Sequence, residues 1–355
     1  MVFIMKTKVM RLDENNIDEH VISEAGDILR QGGLVVFPTE TVYGLGANAL
    51  DKNAVKGIFQ AKGRPQDNPL IVHISKMKDI EKLVQKIPSV AEKLMDKFWP
   101  GPMTIILKKK DIIPNETSAG LDSIGIRMPS NKIAMKLISM AGVPIAAPSA
   151  NLSGKPSPTD VETCIEDLDG KVNIILGGDN SEVGVESTVI DCTINPPCIL
   201  RPGGITLEMV KEVDSNIYID PAIMKKPDKD LKPKAPGMKY RHYAPKAPLK
   251  IIKGDLNKTI EKINEMVQNY IDAEKKVGII ATDETIDNYR KGDVVSIGSR
   301  KDLNTIAHNL FYVLRSFDEK NVDLILSEAF EEKDMGVAIM NRLKKSAGYD
   351  IINLD

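Results

Sequence analysis

Apolar positions recur along the chain with two different periods, and glycine and proline mark the places where the period changes. Residues 16–31 carry Ile17, Val21, Ala25, Ile28 and Leu29 on one face, a spacing that predicts an amphipathic helix stopped by Gly32-Gly33. Leu34-Val35-Val36-Phe37 is a continuous apolar run and predicts a buried strand. It empties into a stretch of hydroxyls and glycines, Pro38-Thr39-Glu40-Thr41-Val42-Tyr43-Gly44-Leu45-Gly46. That composition suits a loop whose backbone approaches a ligand, with Thr39 and Thr41 as donors. Asp51 caps a helix running to Ala61. In residues 62–73, two cations bracket a glycine, two prolines flank Gln66-Asp67-Asn68, and Leu70-Ile71-Val72-His73 closes the stretch as a buried strand. Gly63 and Pro65 oppose helix propagation, so Lys62 and Arg64 are expected on an irregular loop between a helix and a strand. Two fixed cations one residue apart suit a polyphosphate.

The same device recurs downstream. Helices are predicted near 77–86 and 89–98, and Trp99-Pro100-Gly101-Pro102 breaks the second. Met103–Leu107 reads as a strand. The alternation of Ile124, Ile126 and Met128 predicts a strand that puts Arg127 on the opposite face, where it can grip a carboxylate through two parallel hydrogen bonds. After a helix over 131–141, the apolar run 143–147 opens into Pro148–Pro158. There Ser149, Asn151, Ser153 and Ser157 are neutral donors and Lys155 adds a charge. Thr159 is expected to cap the next helix. Further strands are predicted at 173–176, 187–191 and 198–200, the last delivering Arg201-Pro202-Gly203-Gly204.

From 211 to 248 the pattern lapses. The stretch is charged, rich in proline and expected to be an extended, fairly stiff linker between a domain over 1–210 and a smaller one over 249–355. It contains Ala235–Pro245, with Tyr240, His242 and Tyr243, a composition too specific for a spacer and suited to a lid over the site. The last part alternates strand-like runs at 249–252, 277–281, 294–297 and 322–326 with helices near 256–272, 284–290 and 303–316. This predicts a small Rossmann-like parallel sheet in three layers, with Gly336–Arg342 as a candidate binding turn.

Composition narrows the function. A hydrophobic share of 42% supports real cores, and a net charge of -2 with 5% aromatic residues argues against a nucleic-acid coat or a stacking platform for single-stranded RNA. Cys164, Cys192 and Cys198 have neither the spacing of a zinc site nor that of a disulfide framework, and buried thiols in a reducing compartment are expected. No run approaches membrane-span length and no signal peptide is read, so a soluble, cytoplasmic protein is expected. Neither Gly-x-x-x-x-Gly-Lys-Ser/Thr nor a flanked Gly-x-Gly-x-x-Gly occurs, so any nucleotide is bound in a less common way.

Taken together, Pro38–Leu45, Lys62-x-Arg64 with Asn68–His73, and Pro148-Ser149-Ala150-Asn151 resemble the YrdC-like family, whose Lys-x-Arg…Ser-x-Asn signature they match in order. Gly237–Pro245 and the small last domain are similar to its two-domain members. The resemblance implies a twisted, mostly parallel α/β sheet with a concave basic cavity. It also implies a nucleotidyltransfer reaction: L-threonine, bicarbonate and ATP give L-threonylcarbamoyladenylate and pyrophosphate. The product is used by separate threonylcarbamoyl transferase machinery next to the anticodon of tRNA. On that basis Lys62, Arg64, Ser149 and Asn151 are the catalytic set, and Thr39, His73, Arg127 and Ser149 hold threonine. Lys62, Arg64, Asn68, Ser123, Ala147, Asn151, Ser157, Arg201, Tyr240 and Tyr243 are expected at ATP. Magnesium is expected through the ATP phosphates, with no ligands from protein side chains alone. Two other readings stand beside this one: an RNA-binding protein using the basic concavity, and an enzyme fed by carbamoyl phosphate.

Overall fold

The structure, a computed structural model, describes residues 6–226, 233–238 and 242–354. They divide into two compact units. The first runs to Ser153 and resumes at Ser157 to include 233–238; the second holds Gly154–Pro156 and everything described from His242 onward.

The first unit is built on a sheet of eleven described strands. In chain order they are β1 Lys8–Arg11, β2 Val35–Phe37, β3 Gly44–Asn48, β4 Ile71–His73, β5 Met103–Lys108, β6 Ser123–Arg127, β7 Ile145–Ala146, β8 Ile174–Gly177, β9 Thr188–Asp191, β10 Cys198–Arg201 and β11 Tyr218–Ile219. They lie in the order β1-β8-β2-β3-β7-β4-β6-β5-β9-β10-β11. The α/β class is as expected, but the sheet is mixed rather than mostly parallel. β4 pairs β6 and β5 pairs β9 in parallel, whereas β2–β3, β3–β7, β4–β7, β5–β6 and β9–β10 are antiparallel. The reason is connection length: the short 38–43 link cannot make the crossover a parallel pair needs, so β3 folds back on β2.

Apolar layers cover both faces. The helices Glu19–Arg30 and Lys132–Ala141 bury Ile22, Ala25, Leu29, Ile133, Leu137 and Ile138 against Val35, Phe37, Ile145 and Ile174. The larger core lies around Val36, Leu45, Val72, Ile105 and Ile126. The second unit has five parallel strands, β12 Leu249–Lys253, β13 Val277–Ala281, β14 Asp293–Ser296, β15 Leu324–Glu328 and β16 Ile351–Asn353, in the order β14-β13-β15-β12-β16. This is the small parallel sheet the alternation predicts.

Several local expectations need correction. Lys62 is the last residue of the helix Lys52–Lys62 rather than part of a loop. The helix ends one residue later, where Gly63 turns left-handed at φ 60° and the Gly63 and Arg64 amides bond back to Gln60 O and Phe59 O. The segment near 77–86 holds a 3-10 turn and one α turn ending at Leu83, because Val84 is extended and bridges Lys109. Asp160, not Thr159, caps the helix Val161–Leu168, accepting from the Thr163 amide. The segment near 284–290 shrinks to the 3-10 turn Ile286–Asn288. Gly336–Arg342 lies inside the helix Met335–Ser346 and is no turn. Within the stretch read as irregular linker, Tyr218–Ile219 adds a parallel edge strand beside β10. β1 and β16 are strands that the apolar pattern does not announce; both are short and lie at sheet edges.

Candidate active site

Pairing register aligns the polar side chains. His73 on β4 pairs Arg127 on β6, Arg127 pairs Thr104 on β5, Thr104 pairs Val189 on β9, and Val189 pairs Arg201 on β10. One row thus crosses five strands, about 19 Å of sheet at about 4.8 Å per strand. Alternation divides the two faces: Val72, Ile126, Ile105 and Ile190 point into the main core, and the row points to the opposite face with Ile71, Ile106 and Leu200. Simple alternation would turn Arg201 away with Ile199. A bulge between Ile199 and Arg201 re-aims it, and its Nε and Nη2 donate to Ser187 O and Ser187 Oγ, each at 3.0 Å. Ser187 Oγ lies 2.8 Å from Thr104 Oγ1, which ties Arg201 to the middle of the row.

Arg127 is 4% exposed. Its Nη1 donates to Thr41 Oγ1 at 2.9 Å, and its Nη2 stands 2.7 Å from Glu40 Oε1. Glu40 and Thr41 arrive on the 38–43 link, which Thr39 folds: its hydroxyl bonds Val42 O and accepts from the Thr41 and Val42 amides at 3.3 Å. Thr39 Oγ1 also lies 2.9 Å from Thr41 Oγ1. His73 is buried edge-on to Phe37, ring centroids 6.2 Å apart. Burial, and then the Arg127 charge, drive its pKa down to about 3, so it is a neutral imidazole at physiological pH.

Lys62 is 2% exposed, and its Nζ donates to the carbonyls of Ser149 and Asn151, with Asn151 Oδ1 at 3.5 Å. Ser149 Oγ donates to Asn151 Oδ1, and Ser149 bridges Gly44. The four residues of the Lys-x-Arg…Ser-x-Asn signature are therefore not all alike in place. Lys62, Ser149 and Asn151 form one knot, while Arg64 Nη2 reaches Asn68 O and Pro69 O at 3.5 Å. Asn68 is buried, Ser123 begins β6 on the Arg127 face, and Ala147 follows β7, all in the first unit. Ser157 donates to Glu186 Oε1 at 2.6 Å. Lys155 and Tyr243 belong to the second unit, where Tyr243, at φ 63°, stacks on Phe311 at 5.0 Å with Arg342 over its ring at 5.8 Å. Tyr240 lies outside the described residues.

Sequence reasoning left Glu40, Thr104, Glu186 and Ser187 without roles. Glu186-Ser187 could have been found: a glycine at 184 and these two polar residues lead into a buried strand that begins at Thr188, the device seen elsewhere in the chain. Gly203 confirms the crowding there, since a Cβ on it would meet Glu186 O at 2.4 Å and Thr188 N at 2.5 Å. The cysteines are buried free thiols, and burial pushes Cys192 up to about 12. Among the described residues no group of three or more His, Cys, Asp or Glu could hold a metal, and no helix is long and apolar enough to cross a membrane.

A mixed sheet carrying arginines on one face, followed by a small parallel three-layer unit, defines a two-unit α/β protein of the YrdC-like class. Residues 27–203 match the family described as telomere recombination, and residues 205–348 match the threonylcarbamoyl-AMP synthase C-terminal domain. A threonylcarbamoyl-AMP synthase of Pyrococcus abyssi is 49% identical over 338 residues, covering 95% of this chain and 97% of its own. One of Bacillus subtilis is 47% identical over 352 residues, covering 98% and 100%. The crystal structure of P. abyssi Sua5 complexed with L-threonine superimposes with a TM-score of 0.93 at 48% identity, covering 98% of this chain and 100% of that one. The chain belongs to the threonylcarbamoyl-AMP synthase family.

Proposed function

We propose that the chain converts L-threonine, bicarbonate and ATP into L-threonylcarbamoyladenylate and pyrophosphate, in the cytoplasm. The observation that carries this reading is the row on the sheet face, with a neutral histidine and a carboxylate-gripping arginine at one end and Arg201 at the other. Its length of about 19 Å suits an aminoacyl group joined to a nucleotide. Arg127 takes the threonine carboxylate through its fork. His73 stays neutral and hydrogen-bonds the substrate, and Thr39 shapes the link that completes the pocket. Threonine ammonium and bicarbonate give the carbamate, water and a proton. The carbamate oxygen attacks the α-phosphorus, and pyrophosphate leaves.

Charge on the phosphates falls to Lys62, Arg64 and Arg201, so fixed cations and positioning supply the main catalytic terms. Lys62 also fixes the Ser149–Asn151 backbone, with Asn68, Ser123, Ala147, Asn151 and Ser157 lining the nucleotide. Glu40 lies against the Arg127 guanidinium as an ion pair and Glu186 accepts from Ser157, so the two carboxylates do not converge on one metal position. Magnesium would enter with the ATP phosphates and supply charge neutralisation there.

In this reading the part of the linker stretch that belongs to the first unit, around Lys234–Ala235, lies over the arginine-bearing face and limits hydrolysis of the mixed anhydride. Support comes from Ala235, which is buried among Ile71, Ile106, Val189 and Leu200 on the face that carries Arg127, and from Lys234, which pairs with buried Asp191 at 3.5 Å. The adenylate then passes to threonylcarbamoyl transferase machinery acting on tRNA. Mass spectrometry of the full chain with threonine, labelled bicarbonate and ATP tests the activity. Labelled threonylcarbamoyl-AMP is expected; a carbamoyl adenylate without threonine, or no adenylate, overturns it.

A further inference from the structure

Buried polar atoms without a hydrogen-bond partner are rare, and each asks for an explanation. Among the described residues, four gather at one point of the first unit: Arg127 Nε and Nη2, and both carboxylate oxygens of Glu40. Glu40 and Arg127 have side chains 5% exposed, and Nη2 stands 2.7 Å from Oε1, but the approach is an ion pair without hydrogen-bond alignment. Arg127 spends only Nη1, on Thr41. Two donors of one guanidinium edge and two acceptors of one carboxylate therefore remain side by side. That set is the complement of a zwitterion. A carboxylate fits the arginine edge, and a group with several N–H donors and a positive charge fits the glutamate. His73, next to Arg127 in register, cannot take the cationic group's proton, being held neutral by burial and by Arg127 itself.

We propose that Glu40 receives the α-ammonium of the amino-acid substrate and is the residue that selects a free amine. The inference rests on the threonine reading above and adds a specificity determinant to it. A buried carboxylate attracts the ammonium of the incoming substrate and repels the carbamate that replaces it. The same residue that admits threonine thus turns the new anion away from Arg127's neighbourhood and toward the cations.

The test compares calorimetric binding of L-threonine with that of the 2,3-dihydroxybutanoate of matching configuration, in which a hydroxyl replaces the α-amine. The full chain is used as wild type, as Glu40→Gln and as Glu40→Asp. Wild type is expected to prefer threonine by about tenfold to a hundredfold, the worth of a charged hydrogen bond. Glu40→Gln should lose most of that preference while binding the dihydroxy acid as well as wild type or better. Glu40→Asp, which keeps the charge at shorter reach and serves if the glutamine variant does not fold, should weaken threonine selectively. Equal weakening of both ligands in the variants would mean that Glu40 only props Arg127, and overturns the proposal. So does an unchanged preference. Wild type that binds no threonine at all overturns the substrate reading as well, which separates the two failures.

Discussion

In each unit a buried carboxylate faces an arginine, and the two pairs are built differently. In the second unit Glu328 is wholly buried at the end of β15; Tyr289 donates to its Oε1 at 2.6 Å and Arg300 pairs with its Oε2. Arg300 also donates to Ala329 O at 3.2 Å and lies 5.0 Å over the Phe330 ring. In the first unit Glu40 and Arg127 face one another with most of their bonding capacity unspent. Removing two charges from water is costly, and the cost is offset only where hydrogen bonds complete the pair. The second pair meets most of that condition from within, with both Glu328 oxygens bonded and only Arg300 Nε unpartnered, and reads as architecture. The first does not, and reads as a binding surface held ready.

The strongest way to break this contrast is to neutralise each arginine. Arg127→Gln is expected to raise the threonine KM by about tenfold to a hundredfold or more, with a much smaller change in the ATP KM. Arg300→Gln should leave both KM values alone and lower stability by about 3–5 kcal/mol, since it strands a buried carboxylate. Steady-state kinetics and denaturant melts read both, and matching kinetic defects would erase the distinction. Lys62→Ala should cost about tenfold to a hundredfold in ATP use, because the 149–151 backbone loses its cationic pin. An effect confined to threonine would move Lys62 out of the nucleotide site.

Gly203→Ala sharpens the same boundary. With backbone atoms under 3 Å from the new Cβ, it should cost about 1–3 kcal/mol and slow turnover by displacing Glu186 and Ser187; a silent substitution would show that this contact is not rigid.

The pH dependence gives a further test, read as a slope over several pH units and not as a single loss. His73 has a folded pKa of about 3 against an ordinary 6.5, so the unfolded chain binds the extra proton between those values. Stability from this group is complete above pH 6.5 and is lost as pH falls, by up to about 1.4 kcal/mol per unit, down to pH 3. His73→Gln should remove that slope in melts taken from pH 7 to 4. At the bottom of the scale, Asp51→Ala should cost about 1 kcal/mol by uncapping the Lys52–Lys62 helix, with no change in KM.

How much of this the sequence could show depends on the range of the interactions. Arg127 was legible because period-2 alternation is local: Ile124, Ile126 and Met128 face the core and leave the arginine opposite. Arg201's direction was not, since it depends on a bulge against β9 that only the pairing reveals. Lys62 was recognised as important, yet its fixing partners lie 87 and 89 residues away, beyond any spacing argument. Glu40 was quoted within its motif but given no role, because a glutamate between two threonines carries no signal until the chain brings Arg127 to it. In the second unit, helices and strands with strong periodicity fell where expected, as in Leu256–Asp272 and Val277–Ala281. The helix Met335–Ser346 was missed because it buries Asn341, Arg342, Lys344 and Lys345, polar residues that disguise its face.

The measurement that tests the account most directly is pyrophosphate release by the full chain with each substrate withheld in turn. The proposed placement of fixed cations at a triphosphate and of a separate arginine at an amino acid predicts that release needs ATP, threonine and bicarbonate together, and that serine replaces threonine poorly. Full release with ATP alone, or serine equal to threonine in rate and affinity, would contradict it.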